Sequence, residues 1–215
     1  MILFGSTLSP FVRKVMAFAG EKGIEIDLQP TGAPDHSPDF CSASPFKKMP
    51  ALKDGDYELC DSSAIIHYLE AKYPEPPLIP AEPRARGRTI WFEEFSDTIL
   101  FACGAKVFFN RIVSPYFLKR PGDEEVAAAA IRDELPPILD YLEKTVPEHG
   151  YLVGDSITLA DIAVANPFAN FRHLDVEIGS HPRLAAFVGR MLSRPSFSQW
   201  IERENALLAK VREPA

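Results

Sequence analysis

The feature that most constrains this chain is the stretch Pro74-Glu75-Pro76-Pro77-Leu78-Ile79-Pro80-Ala81-Glu82-Pro83, with five prolines in ten residues. Each proline removes an amide donor and fixes φ, so no helix interior or central strand can run through it. The chain must break its regular structure here. A segment this rich in proline is stiff, so the parts it joins are expected to dock in a fixed relation. Before it the hydrophobic pattern alternates between strand and helix periods. After it every strong period is helical. A chain of 215 residues has room for one or two domains, and 46% hydrophobic with 25% charged residues is enough to build a sizeable core. This balance excludes a disordered chain, a collagen-like repeat and a disulfide scaffold.

Within the first part, Ile2-Leu3-Phe4 reads as a buried strand ending at Gly5. After Ser9-Pro10, residues Val12, Val15, Met16 and Ala19 recur at helical spacing, with Pro10 suited to the first turn and Gly23 as the stop. Ile24, Ile26 and Leu28 alternate with polar residues and predict a half-buried strand. Residues 30–45 read as a loop with one short helix over Pro38–Ala43. Ala51-Leu52-Lys53 and Tyr57-Glu58-Leu59 flank the hairpin signal Asp54-Gly55-Asp56. A helix carrying Ile65, Ile66, Tyr68, Leu69 and Tyr73 starts near Asp61-Ser62 and stops before Pro74.

The second part offers five apolar stripes. They are Trp91, Phe92, Phe95, Ile99 and Cys103; then Val126, Ala130, Ile131, Leu135, Ile138, Leu139 and Leu142, with a bend at Pro136-Pro137; then Ile162, Ala163, Ala165, Phe168 and Ala169; then Leu184, Phe187, Val188, Met191 and Leu192; and last Trp200–Val211. Thr158-Leu159-Ala160-Asp161 forms a capping box flanked by Ile157 and Ile162 as a hydrophobic staple.

Charge and cysteine content narrow the function. The 23 basic and 30 acidic residues sum to −7, which leaves no basic stripe for nucleic acid and no attraction to an anionic membrane. Cys41, Cys60 and Cys103 are scattered, with no CxxC, which argues against a disulfide framework or zinc knuckle and suits a reducing compartment. Residues 1–10 show no signal-peptide pattern, and no window is long and apolar enough to span a bilayer, so a cytoplasmic protein is expected. His36, His67, His149, His173 and His181 include no i, i+4 pair for a metal, and no G-x-S-x-G elbow accompanies them.

Three places carry candidate chemistry. Ser9 stands between a strand end and a helix N-terminus, where the helix dipole favours an anion and a hydroxyl can donate to it. Plain N-capping is the other use of such a serine. Met49-Pro50 opens a strand, and a cis bond there would turn the Met49 backbone toward a ligand; local pattern leaves cis and trans open. Asp61 and Ser62 precede a helix and suit either the ammonium and carboxylate of an amino acid head or simple capping.

In order and spacing, Ser9-Pro10-Phe11-Val12-Arg13-Lys14-Val15, then Ser44-Pro45-Phe46-Lys47-Lys48-Met49-Pro50-Ala51-Leu52 through Asp61-Ser62-Ser63-Ala64-Ile65, and then Thr158–Asp161 resemble the glutathione S-transferase superfamily, its theta-like serine type in particular. The resemblance implies a thioredoxin-like α/β domain over 1–77 that binds glutathione and an all-α domain over 84–215. It implies that Met49-Pro50 is cis and that the Met49 backbone pairs with the cysteinyl part of glutathione. Asp61 and Ser62 would hold the γ-glutamyl group, Lys48 the glycyl end with help from His36, and Phe11 would touch the ligand. Asp61 is shorter than the glutamate common in the family. Lys47 and Ser44 stand where glycine and asparagine are frequent. Ser9 occupies the catalytic serine position of theta-like members and the cysteine position of omega-like ones, with Ser6 as its rival.

The activity so implied is conjugation of glutathione, as co-substrate and without a metal, to a small hydrophobic electrophile. Phe11, Phe108, Phe109, Tyr116 and Phe117 are candidates for its pocket, although each single aromatic also suits the core. Glutathione-dependent isomerisation or peroxide reduction is the alternative, and a non-catalytic binding or stress protein is another. A homodimer is expected through the 65–99 region.

Overall fold

The computed structural model describes residues 1–32 and 37–213. Strand β1 (Ile2–Gly5) leads into helix α1 (Pro10–Glu21), which crosses over to β2 (Asp27–Pro30). A short α2 (Pro38–Ala43), a hairpin of β3 (Ala51–Asp54) and β4 (Tyr57–Cys60), and α3 (Ser62–Lys72) follow. The strand order is β2-β1-β3-β4. β1 pairs parallel with β2, which is why a helix must separate them, and antiparallel with β3. The register sets Leu3 opposite Leu52 and Phe4 opposite Ala51. Side-chain alternation then sends Leu3 and Leu52 to the core shared with α1 and α3, and Phe4 and Ala51 to a smaller cluster with Phe40 and Ala43 of α2.

The expected strand at Ile24 begins later, at Asp27. The amide of Ile24 is used to close α1: it donates to Ala19 O at 2.9 Å, while Gly23, at φ +67°, donates to Gly20 O at 3.2 Å. This Schellman closure holds Ile24 off the sheet.

The second part consists of α4 (Pro83–Glu94), α5 (Phe101–Phe108), α6 (Glu124–Ala129), α7 (Leu135–Thr145), α8 (Leu159–Ala165), α9 (Pro167–Arg172), α10 (Pro182–Leu192) and α11 (Pro195–Arg212). Wider π-helical turns occupy Phe95–Leu100, Phe109–Phe117 and Ala130–Glu134. Pro136 and Pro137 fall in the first turn of α7, just after one of these turns, where their missing amides break no ladder. The π turns also shift helical register, so a single period over-assigns the core. Phe92, Phe95 and Cys103 are buried as expected, but Trp91 and Ile99 are each 44% exposed, and Ala127 takes the buried place given to Val126.

The linker is docked. Glu70 Oε1 accepts from the amides of Leu78 and Ile79 at 3.0 Å each, and Lys22 donates to Glu70 Oε2 at 2.7 Å and to Pro76 O at 2.6 Å. Leu78 and Ile79 are buried, and Leu78 O accepts from Leu159 N. At the same C-terminal end of α1, Arg194 donates to both oxygens of Glu21 at 2.7 Å each, and Ser196 donates to one of them.

Every residue of α8 is buried. Its capping box forms with both arms, and Asp161 also accepts from Leu152 N at 2.7 Å. Burial pushes the Asp161 carboxyl up, against the hydrogen bonds it accepts. Asp161→Ala removes the acceptor of the buried Thr158 amide and of the half-buried Leu152 amide and is expected to cost about 2–4 kcal/mol, since an orphaned buried group costs about 1–3 kcal/mol and a half-buried one less. Denaturant unfolding measures it.

Glu21 supplies a pH prediction. Burial raises its carboxyl, but the hydrogen bonds from Arg194 and Ser196 outweigh that and leave it below the ordinary glutamate value. A lowered folded pKa contributes stability above the unfolded value, near ~4.3, that is lost as pH falls through the folded one. Glu21→Gln is therefore expected to flatten the fall of unfolding free energy below about pH 4.5.

Candidate functional site

The site starts where β1 ends. Gly5 has φ +153°, and a Cβ there would meet Val12 Cγ2 at 2.5 Å, so only glycine lets β1 turn this close to α1. The turn that follows is closed by Ser9 N donating to Ser6 O at 2.9 Å. Ser9 is the N-cap residue of α1, with Pro10 behind it in the first turn, yet its side chain makes no capping hydrogen bond. Of the two uses open to Ser9, the hydroxyl is not spent on capping.

The second wall comes from the loop before β3. Ser44, 1% exposed, donates to Lys48 O at 2.6 Å and accepts from Lys48 N at 2.9 Å. Lys47 adopts φ +55°, a left-handed conformation that favours glycine. This loop delivers a cis Met49–Pro50 bond. The backbone of Lys48 is held by Ser44, and Lys48 is exposed.

The third element is the start of α3. Asp61, at φ +84°, caps it: Oδ1 accepts from Ser63 N at 2.9 Å and Ala64 N at 3.0 Å. Ser62 is 3% exposed. Behind this turn the buried Lys14 ammonium donates to Glu93 at 3.0 Å, to Asp97, and to Ser63 Oγ at 3.4 Å. Burial raises the Asp97 carboxyl, and Lys14 opposes it.

Ser6, Ser9 and Met49 open onto a cavity of about 360 Å³ between the two parts of the chain. Phe11, Phe101, Phe108, Phe109, Phe117, Leu8, Val113, Leu118 and Pro167 line it, with Thr31 and Asn170 as further polar residues. Among the described residues its lining includes no Lys, Arg, Asp, Glu or His. The Phe11 and Phe101 rings meet at 4.5 Å between centroids.

The structure thus brings Ser9, Phe11, Met49, Phe108 and Phe109 to one cavity. Asp61, Ser62 and Lys48 do not line it. Tyr116 does not reach it either: it packs beside the Phe108, Ile112 and Leu208 cluster, with Arg212 over its ring. Phe117 lines the cavity as expected, and Leu118 lies beside it on the wall. His36 lies outside the described residues. Phe101 was missed, although Phe101, Ala105 and Phe109 stand at i, i+4, i+8 and share one helical face. A larger open groove of about 550 Å³ near Met1, Glu25 and Trp200 holds none of the candidate residues.

Among the described residues no cysteine lines the cavity. Cys103 is buried, which pushes its thiol up to about 11. Among the described residues no group of His, Cys, Asp and Glu is placed to hold a metal ion, and no helix is long and apolar enough to cross a membrane.

Against this geometry stand the comparisons with known proteins. Residues 3–77 match the family model for the glutathione S-transferase N-terminal domain, and residues 108–204 match that for the C-terminal domain. The chain belongs to the glutathione S-transferase family. A glutathione S-transferase of Hyoscyamus muticus is 30% identical over 210 residues, covering 94% of this chain and 98% of the relative. Glutathione S-transferase 3 of Zea mays is 32% identical over 206 residues, covering 93% and 86%. A solved glutathione S-transferase from Methylobacterium radiotolerans, in complex with glutathione sulfonate, matches with a TM-score of 0.75 at 28% identity, covering 93% of each chain.

A cavity that is apolar and uncharged among the described residues predicts salt-independent binding of an uncharged apolar fluorophore. Ala105→Phe, which fills it, is expected to weaken that binding about tenfold, or ~1.4 kcal/mol. Fluorescence titration at low and high salt checks both expectations.

Proposed function

We propose that this chain conjugates glutathione to small, uncharged apolar electrophiles, with Ser9 stabilising the glutathione thiolate. The observation that carries this reading is the uncapped Ser9 hydroxyl at the N-terminus of α1, open to an apolar cavity whose walls carry no charge among the described residues. The solved relative that holds glutathione sulfonate supports it. In this reading the Met49 backbone at the cis bond pairs with the cysteinyl unit. Asp61 and Ser62 receive the γ-glutamyl group, Lys48 the glycyl carboxylate, and Phe11 the face of the ligand.

The thiolate is the nucleophile, and a thiol of pKa ~8.5 is only a few per cent ionised at neutral pH. A hydrogen bond to a charged group contributes about 1.5–3 kcal/mol, and one pKa unit is about 1.4 kcal/mol. One Ser9 hydroxyl therefore lowers the thiol by about one to two units, and the helix terminus adds to this. The thiol proton leaves to solvent. The sulfur lone pair forms the new C–S bond, and the leaving group departs with the bonding pair. Ser6 lines the same cavity but lacks the helix terminus, which favours Ser9.

Among the described residues the walls carry no charge, which favours neutral electrophiles over charged ones. A panel of conjugation, isomerisation and hydroperoxide substrates separates the activities. A non-catalytic role would show as no turnover on the whole panel. Exposed Trp91 and Ile99 support a homodimer through the 65–99 region, which sedimentation tests. The three free cysteines suit a reducing cytoplasm.

Ser9→Ala is expected to cut turnover about 10–100-fold, the equivalent of the lost hydrogen bond. The thiolate absorbance of bound glutathione near 240 nm should fall at pH 7, while glutathione affinity changes little. Turnover equal to that of the unsubstituted protein would refute the role of Ser9.

A further inference from the structure

We propose that Arg13, Asn166 and Asn170 form a positioning set that fixes where the Ser9 hydroxyl points; this rests on the reading of Ser9 above. The backbone carbonyls on either side of Ser9 are each held by one member. Arg13 Nη1 donates to Thr7 O at 3.0 Å, Asn170 Nδ2 to Leu8 O at 2.9 Å, and Asn166 Nδ2 to Pro10 O at 2.6 Å. Ser9 itself donates its amide to Ser6 O and accepts Arg13 N at its carbonyl, at 3.0 Å. The peptide units that orient the Ser9 Cα–Cβ bond therefore have no freedom to rotate without breaking a buried hydrogen bond.

The three members also hold one another. Arg13 Nε donates to Asn166 Oδ1 at 2.9 Å, and Nη2 donates to Asn166 O at 2.8 Å and to Asn170 Oδ1. Nη1 pairs with Glu204 Oε2 at 2.8 Å, and His173 Nε2 meets that same oxygen at 2.8 Å. Arg13, Asn166 and Asn170 are all buried. Each asparagine turns its acceptor to Arg13 and its donor to a carbonyl beside Ser9, so both amide orientations are determined by the network.

Asn166 and Asn170 belong to the helical part of the chain. The serine loop is thus set by residues outside its own domain, and docking of the two parts is a condition of the hydroxyl's aim. A hydrogen bond weakens steeply with angle and distance, so a small rotation of the loop is enough to lose the contact to sulfur. Arg13 and Asn166 do not line the cavity, and Asn170, which does, has its amide engaged with Arg13 and Leu8 O; in this proposal the three act through Ser9.

The test is a double-mutant cycle on the full chain, with Ser9→Ala, Asn170→Ala and the pair. It reads turnover, the thiol pKa of bound glutathione at 240 nm, and glutathione affinity. Asn170→Ala is expected to lower turnover about tenfold, to raise the thiol pKa, and to leave glutathione affinity within about threefold. In the Ser9→Ala background it should add less than about twofold, because coupled groups are not additive. If the two losses multiply, or if Asn170→Ala lowers only the melting temperature while the thiol pKa is unmoved, the positioning proposal is overturned and Ser9 stands. If Ser9→Ala alone is silent, both readings fall. Should Asn170→Ala not fold, Arg13→Lys takes its place in the cycle. It keeps the charge opposite Glu204 but lacks the fork that spans Thr7 O and both asparagines.

Discussion

The structure depends on a guanidinium taken out of water. Arg13 is 0% exposed, and its donors reach Asn166, Asn170, Glu204 and the backbone at Thr7 and Asn166. Burying a charge costs several kcal/mol unless its partners are complete. Here the five N–H groups of an arginine all find acceptors. A lysine has three donors and no planar fork, so it has no equivalent arrangement. All acceptors but Thr7 O come from the helical part, at Asn166 between α8 and α9, Asn170 of α9 and Glu204 of α11, which means that Arg13 is satisfied only when the helical part is docked against α1.

The same helix carries further ionic ties. Lys14 faces Glu93 and Asp97 of the α4 region, Lys22 holds Glu70 and the linker, and Glu21 holds Arg194 and Ser196 before and within α11. α1 is therefore a spine between the sheet and the helical part, and residues 12–19 are all buried. Buried pairs contribute modestly to net stability, but leaving one partner unpaired is costly. Their effect here is to penalise any other docking of the two parts. The proline-rich linker, pinned by Glu70, acts in the same direction.

This arrangement also separates charge from the cavity. The ion pairs lie around α1 and its flanks, while the walls facing Ser9 are aromatic and aliphatic. A helix N-terminus and a hydroxyl directed at an anion act more strongly where water is scarce and no competing cation is present. An apolar electrophile is desolvated on entering the same space. In the proposed function, one cavity serves the two reactants through opposite properties of its two sides.

Much of this was legible in the residues themselves. The proline-rich stretch marked the division, the apolar run Ile2-Leu3-Phe4 and the hairpin signal at Asp54-Gly55-Asp56 marked strands of the sheet, and Gly23 and Pro10 marked the ends of α1, because these signals act over a few residues. Ser9 and Met49-Pro50 were legible as candidates for the same reason. The start of β2 was misread because the Schellman turn uses Ile24, and Trp91, Ile99 and Val126 were over-assigned because π turns shift the helical period. Phe101 lines the cavity and Tyr116 does not, since which aromatic reaches a cavity depends on how two helices pack. Arg13 meets Asn166 and Glu204 across 153 and 191 residues of sequence. Local propensity and period, the properties that sequence by itself determines, set the elements and their order. The partners of Arg13 and Lys14, and the hold on Ser9, were decided only by tertiary packing, because hydrogen-bond geometry between distant segments exists only once both are folded and docked.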